Sequence, residues 1–114
     1  MAWTDLSSIE QLIESYNHSE VRPQLYFKHS TRCGISKMAL KEFEKSEVLN
    51  LSNADFFLLD LLNHRNISNE IAAIAGVEHH SPQVVLVHQK RVIYSENHGT
   101  IDGKRIIEIL ENLQ

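Results

Sequence analysis

The residues best suited to chemistry in this sequence surround its single cysteine. Cys33 lies in the run STRCG, residues 30–34. A short apolar segment, residues 25–27, precedes the run, and an amphipathic segment follows from Gly34. We therefore predict a strand, a polar loop over residues 28–32, and a helix that begins at the thiol.

A thiol at the start of a helix is a candidate nucleophile. The unpaired backbone N–H groups and the positive end of the helix dipole favour the thiolate over the thiol there, and Arg32 adds a cation. A thiolate is the species that attacks disulfides. The alternative is a buried cysteine that only packs, but the polar residues 30–32 favour the nucleophile.

A second thiol is missing, and this limits the reaction. Ser36 stands where a C-x-x-C protein carries its resolving cysteine. A hydroxyl does not attack a disulfide, although it could hydrogen-bond the Cys33 sulfur. A separate thiol must therefore complete any cycle. This pattern favours exchange of small-thiol adducts over stand-alone reduction of protein disulfides.

Length, composition and charge narrow the class of protein. The 114 residues, 42% of them hydrophobic, fit one domain over residues 1–114. A net charge of −4 without a basic run argues against nucleic-acid binding. Residues 1–10 resemble neither a signal peptide nor a membrane segment, and one cysteine suits a reducing compartment. We expect a soluble, cytoplasmic protein that does not bind membranes.

Hydrophobic periodicity predicts the other elements of the fold. In chain order they are a helix over residues 8–17 with a capping box from Ser7 to Glu10, the strand and helix around Cys33, a strand over residues 56–62, a helix capped by Asn66 and ended by Gly76, a hairpin over residues 83–88 and 91–95, and a last helix after Gly99 and Thr100. This order predicts an α/β, thioredoxin-like fold: a mixed four-stranded sheet flanked by helices, with an extra N-terminal helix. Trp3 is expected to be a packing anchor.

Several of these residues resemble a known family. The run from Thr31 to Ser36, the pair Ser81-Pro82 before the third strand and Gly99 before the last helix are similar to single-cysteine redox proteins of the thioredoxin fold. The run FKHSTRCGIS, residues 27–36, resembles the monothiol bacilliredoxins, and the resemblance extends over nearly the whole chain.

The resemblance implies removal of bacillithiol from S-thiolated proteins, with Cys33 as the nucleophile and Pro82 as a cis-proline facing it. It also implies that the small thiol is a co-substrate and that no cofactor is bound. We expect no metal, because no histidine or cysteine pair has the spacing of a preformed site. We expect a monomer. Thr31, Arg32, Gly34 and Ser36 would support the thiol, and the backbone of Ser81 would pair with an extended substrate segment.

Charge suggests further substrate contacts. Lys28 and Arg32 flank Cys33 and could bind carboxylates of an anionic small thiol, while Asp102 could meet an amino group on the same ligand. The alternative is that Lys28 and Arg32 are solvated loop charges and that Asp102 only complements the helix dipole.

Two other functions remain open. Some monothiol glutaredoxins with a C-G-F-S sequence hold an iron–sulfur cluster between two subunits, but Ile35 replaces the phenylalanine here. A thioredoxin-fold adaptor without turnover is the second alternative. His29, His79 and His80 are candidate metal neighbours of Cys33, although their spacing matches no usual ligand pair.

Overall fold

A computed structural model describes residues 3–113 as a five-stranded mixed sheet with helices on both faces. The strands are β1 (Trp3–Asp5), β2 (Gln24–His29), β3 (Asp55–Asp60), β4 (Gln83–His88) and β5 (Arg91–Asn97), and the α-helices are α1 (Ile9–His18), α2 (Gly34–Lys45), α3 (Arg65–Ala75) and α4 (Gly103–Asn112). Short 3-10 turns cover Val48–Asn50 and His98–Thr100.

The sheet order is β1-β3-β2-β4-β5. β3 pairs in parallel with β1 and β2, whereas β4 pairs antiparallel with β2 and β5. The predicted α/β class and mixed sheet are confirmed. None of the helices within residues 3–113 is long and apolar enough to cross a membrane.

The predicted number of four strands is wrong, because Trp3–Asp5 adds a fifth strand beside β3. Three residues are too short to show the alternation by which a strand is detected. Trp3 is nevertheless the packing anchor that we expected. The centroid of its ring lies 5.9 Å from the ring centroids of both Phe27 and Phe43. Its Nε1 donates to Glu44 Oε2 at 2.8 Å.

β2 is the centre of the sheet, and all six of its residues are buried. Successive strand side chains point to opposite faces. Leu25 and Phe27 therefore join the core formed with α2 and α4, whereas Tyr26 joins the core formed with α1 and α3. Both faces are covered, so α2, which begins at Cys33, is held against one of them.

Local turn and capping chemistry explains where several elements end. Gly76, at φ 67°, ends α3 as predicted. Gln89 and Lys90 both have positive φ, 53° and 60°, as the tight turn of the predicted hairpin requires. β5 runs on to Asn97, two residues beyond the predicted end of that hairpin strand.

Two predicted helix caps were misplaced by one or two residues. The N-cap of α1 is Ser8, which accepts from Gln11 N, rather than Ser7. α3 begins at Arg65 after His64, so Asn66 lies inside the helix.

Two glycines, each the first residue of its helix, provide a matched test of packing. A Cβ on Gly103 would collide with the side chain of Ser46, whose hydroxyl donates to Phe43 O at 2.6 Å, whereas a Cβ on Gly34 would meet nothing within 4 Å. We predict that Gly103→Ala lowers the free energy of unfolding by about 1–3 kcal/mol. Gly34→Ala should raise it by about 0.5–1 kcal/mol. Urea unfolding of both variants checks this, and equal effects would contradict the packing at Ser46.

Candidate active site

The ends of three strands bring the candidate residues to one edge of the sheet. β2 ends at His29, four residues before Cys33. Because β4 runs antiparallel and Gln83 pairs with Lys28, the Ser81-Pro82 segment before β4 lies at this same edge. Gln83 also pairs with Asn97, so the connection from β5 to α4 arrives there too.

Cys33 is the half-buried N-cap residue of α2, as the sequence predicted. Its backbone carbonyl accepts from Lys37 N at 3.0 Å, and its N–H donates to Ser30 O at 3.2 Å. Its side chain makes no capping hydrogen bond to the first turn of α2. The first-turn amides of a helix lack intrahelical partners, and the positive end of the helix dipole lies at this terminus. Thr31, Arg32 and Gly34 around it are exposed.

Ser36 has a different partner from the expected one. Its side chain is fully buried, and its Oγ accepts from Ser30 N at 3.0 Å and lies 2.9 Å from His29 Nδ1. The predicted hydrogen bond to the Cys33 sulfur is thus replaced by bonds that tie the end of β2 to the first turn of α2. These bonds fix the loop that carries the thiol.

His29 is a site residue whose role the sequence did not reveal. Only 7% of it is exposed, and burial lowers its pKa, so the imidazole is neutral at pH 7. Neutral His29 can accept a hydrogen bond from the Ser36 hydroxyl through Nδ1, which leaves the Ser36 oxygen free to accept from Ser30 N. The only sequence signal was position: a histidine two residues past a strand core can still lie inside the strand.

The prediction that Lys28 lies in a loop beside the thiol is wrong. Lys28 is a residue of β2 with 0% exposure, and its Nζ donates to Ser68 O at 3.1 Å and to His79 Nδ1 at 3.3 Å. Burial lowers the pKa of Lys28 to about 8. The ammonium has no solvent-facing surface with which to meet a small thiol, so Arg32 is the exposed cation of the pair.

The Ser81–Pro82 peptide bond is cis, as the resemblance implied. The carbonyl of Pro82 accepts from His98 N at 3.0 Å, which ties the cis-proline to the end of β5. His98 itself has φ 56°, an uncommon conformation for a residue with a side chain.

An open groove of about 510 Å³ runs between α2 and the start of α4. Two exposed apolar side chains on α2 line it, Ile35 at 64% and Met38 at 70% exposure. Asp102 lines the groove as well, but its Oδ1 accepts from Lys104 N at 3.0 Å and caps α4. Asp102 is thus an N-cap residue rather than part of the first turn.

The other candidate metal neighbours are engaged elsewhere. His79 contacts Lys28 and Ser68, and His80 Nε2 lies 3.0 Å from Glu78 Oε1. In the portion of the chain from 3 to 113, no group of three or more histidine, cysteine, aspartate or glutamate residues is placed to hold a metal ion.

Burial of histidines predicts the pH dependence of stability. Burial lowers the pKa of His29 and of His79 below the ordinary 6.5, so the unfolded chain binds protons more readily. The free energy of unfolding should therefore fall as pH drops through 6.5. Urea unfolding between pH 7.5 and 5.5 should show a shallower fall for His29→Gln than for the control His18→Gln, at an exposed histidine. Identical slopes would contradict the burial of His29.

Solved structures confirm the thioredoxin fold. A protein with a thioredoxin fold, assigned as an oxidoreductase, is 26% identical and superposes with a TM-score of 0.81, covering 97% of this chain and 95% of its own. Thioredoxin NaTrxh from Nicotiana alata is 16% identical, with a TM-score of 0.74 and coverage of 99% and 94%. The thioredoxin of Malassezia sympodialis is 17% identical, with a TM-score of 0.72 and coverage of 97% and 89%.

The sequence itself matches a family model over residues 4–106, that of the monothiol bacilliredoxin BrxC. The match contains Cys33, the cis-proline and the start of α4. Family and fold together give the protein a role in thiol redox chemistry. With one accessible thiol at a helix start and a serine in the resolving position, the chain belongs to the monothiol bacilliredoxin family.

Proposed function

We propose that this protein removes a low-molecular-weight thiol, bacillithiol, from protein mixed disulfides by a monothiol mechanism. It acts as a cytoplasmic monomer on S-thiolated proteins, with no bound cofactor. The observation that carries the proposal is the pairing of an accessible Cys33 at the start of α2 with a buried, hydrogen-bonded Ser36.

The first step is a thiol–disulfide exchange. The Cys33 thiolate attacks the small-thiol sulfur of the mixed disulfide, a new bond forms between that sulfur and Sγ, and the target protein leaves as its thiolate. The target sulfur leaves with the electron pair of the broken S–S bond, while the Cys33 thiolate supplies the pair of the new one, so the disulfide bond passes from the target to Cys33.

The second step needs a separate thiol. Ser36 Oγ is occupied by His29 and Ser30 and is no nucleophile towards sulfur. A second small-thiol molecule therefore attacks the small-thiol sulfur that is bound to Cys33. The Cys33 thiolate is released, and the two small thiols leave as a symmetrical disulfide.

The surroundings of Cys33 suit a mixed disulfide that joins a charged small thiol to a polypeptide. Exposed Arg32 can bind a carboxylate of the small thiol. Exposed Ile35 and Met38 can give apolar contact to the polypeptide. The backbone of Ser81, just before β4, can pair with an extended segment of the substrate. Asp102, at the far side of the groove, can meet an amino group with the carboxylate oxygen that it does not use as a cap.

Turnover with variants tests the mechanism. A target protein carrying bacillithiol on one cysteine is incubated with the protein, with and without added bacillithiol, and the freed target thiol is measured. We predict repeated turnover only with added thiol, and none for Cys33→Ser. Ser36→Cys should complete one turnover without added thiol and lose two hydrogen atoms as Cys33 and the introduced thiol join in a disulfide.

Repeated turnover of the wild type without any added thiol would contradict the monothiol mechanism. Parallel assays with glutathione and coenzyme A mixed disulfides identify the small thiol. A higher kcat/KM for either of them would replace bacillithiol in the proposal and leave the mechanism in place.

Arg32 provides a test of small-thiol recognition. Because the side chain is exposed, its charge-assisted bond is screened by water, and Arg32→Gln should raise KM for an anionic mixed disulfide by about 2- to 10-fold with little change in kcat. The control is Arg105→Gln, at an exposed position on α4. The role fails if KM does not change, or if the two variants behave alike.

A further inference from the structure

A buried cation lies on β2, five residues before the thiol. The ammonium group of Lys28 is completely inaccessible and donates to a carbonyl of α3, Ser68 O, and to His79 Nδ1. Ser68 Oγ lies 3.0 Å from the same His79 nitrogen. A strand, a helix and the segment before β4 therefore meet at one nitrogen atom.

Among residues 3–113, no carboxylate forms an ion pair with this cation. A buried ammonium group is strongly unfavourable unless a carboxylate pairs with it, and both acceptors of Lys28 are neutral. Burial lowers the pKa of His79, and three groups that face it, Lys28, Arg65 of α3 and the adjacent His80, lower this pKa further.

The partners of Lys28 place it against the cis-proline. His79 lies three residues before Pro82, and Gln83, directly after Pro82, pairs with Lys28 in the sheet. The side chain of Gln83 also donates to Glu78 O at 2.8 Å. The segment over residues 78–83 is thus held to β2 from two sides, by the strand pairing and by the bond from Lys28 to His79.

We propose that the Lys28–His79 bond positions the cis-proline segment relative to Cys33, so that a mixed disulfide borne by a polypeptide reaches the thiol in a reactive orientation. The inference rests on the proposed exchange function. Lys28 does not touch the substrate and is a positioning residue that acts through His79. Small disulfides, which need no backbone pairing, depend on it little.

The test compares Lys28→Met with Lys41→Met, a matched change at an exposed lysine of α2. Two rates are measured for each variant: alkylation of Cys33 by iodoacetamide and kcat/KM for an S-thiolated peptide. Lys28→Met should lose about 10-fold in kcat/KM for the peptide, mainly through KM, while its alkylation rate stays within about 2-fold of wild type. Lys41→Met should change neither rate.

His79 provides the second arm, because it lies outside the buried core and we expect the fold to tolerate its replacement. His79→Leu should reproduce the loss, His79→Gln should restore most of the rate by keeping an acceptor, and the double variant with Lys28→Met should lose no more than either single change. An unchanged peptide rate in Lys28→Met overturns the proposal, as does an equal loss in alkylation, which would place the effect on the thiol.

Amide hydrogen exchange separates this inference from the exchange function. If the segment is held by Lys28, the amide hydrogens of residues 78–81 and of Gln83 exchange faster in Lys28→Met than in wild type, while those of α4 do not change. This result is independent of any substrate. If the wild type shows no thiol–disulfide exchange activity but amide hydrogen exchange is faster in Lys28→Met, the proposed function is wrong and the positioning role of Lys28 stands. If amide hydrogen exchange is the same in Lys28→Met and wild type, the positioning role is wrong.

Discussion

The burial of β2 on both faces is the constraint on which the site depends. All six of its residues are buried, including two polar residues at its carboxyl end. Lys28 and His29 point to opposite faces, and each must find a hydrogen-bond partner where it is buried. His29 finds Ser36 in the first turn of α2, and Lys28 finds His79 before the cis-proline. The two segments that frame Cys33 are therefore tied to one strand.

The presence of a single thiol determines which reaction this arrangement can carry out. In a protein with C-x-x-C, the residue at the fourth position attacks the first cysteine; here that position holds Ser36, whose hydroxyl supports the loop through His29 and Ser30. The same residue thus contributes structure in place of a resolving step. In the proposed mechanism, an adduct on Cys33 is therefore released by a thiol from solution. Cys33 is only half-buried, so that thiol can reach it.

Much of the fold was predictable because its signals are local. The apolar face of α2, the αL glycine after α3 and the alternation of the hairpin each occupy a few neighbouring residues. The apolar face of α2, which follows Cys33 directly, was enough to predict that the helix starts at the thiol. The cis bond before Pro82 has no local signal, and only the resemblance to a family implied it. The strand Trp3–Asp5 was missed because its evidence is its pairing with β3, which lies far along the chain.

The errors at the site have the same physical origin. The polar run over residues 28–32 is typical of a loop, since buried lysine and histidine are rare without partners. Their partners, Ser68, His79 and Ser36, lie between 7 and 51 residues away in sequence. Nothing in a single sequence marks these pairs, so Lys28 was predicted to contact the substrate and the partner of His29 was not identified.

The central claim is that Cys33 takes the small thiol and not the target protein. Its most direct test is intact-mass measurement of the wild-type chain after one incubation with a bacillithiolated target and no free thiol. The account predicts that the chain gains one bacillithiol in place of one hydrogen atom, while the target returns to its unmodified mass. A covalent complex of this chain with the target, or an unchanged chain beside an unchanged target, would contradict it.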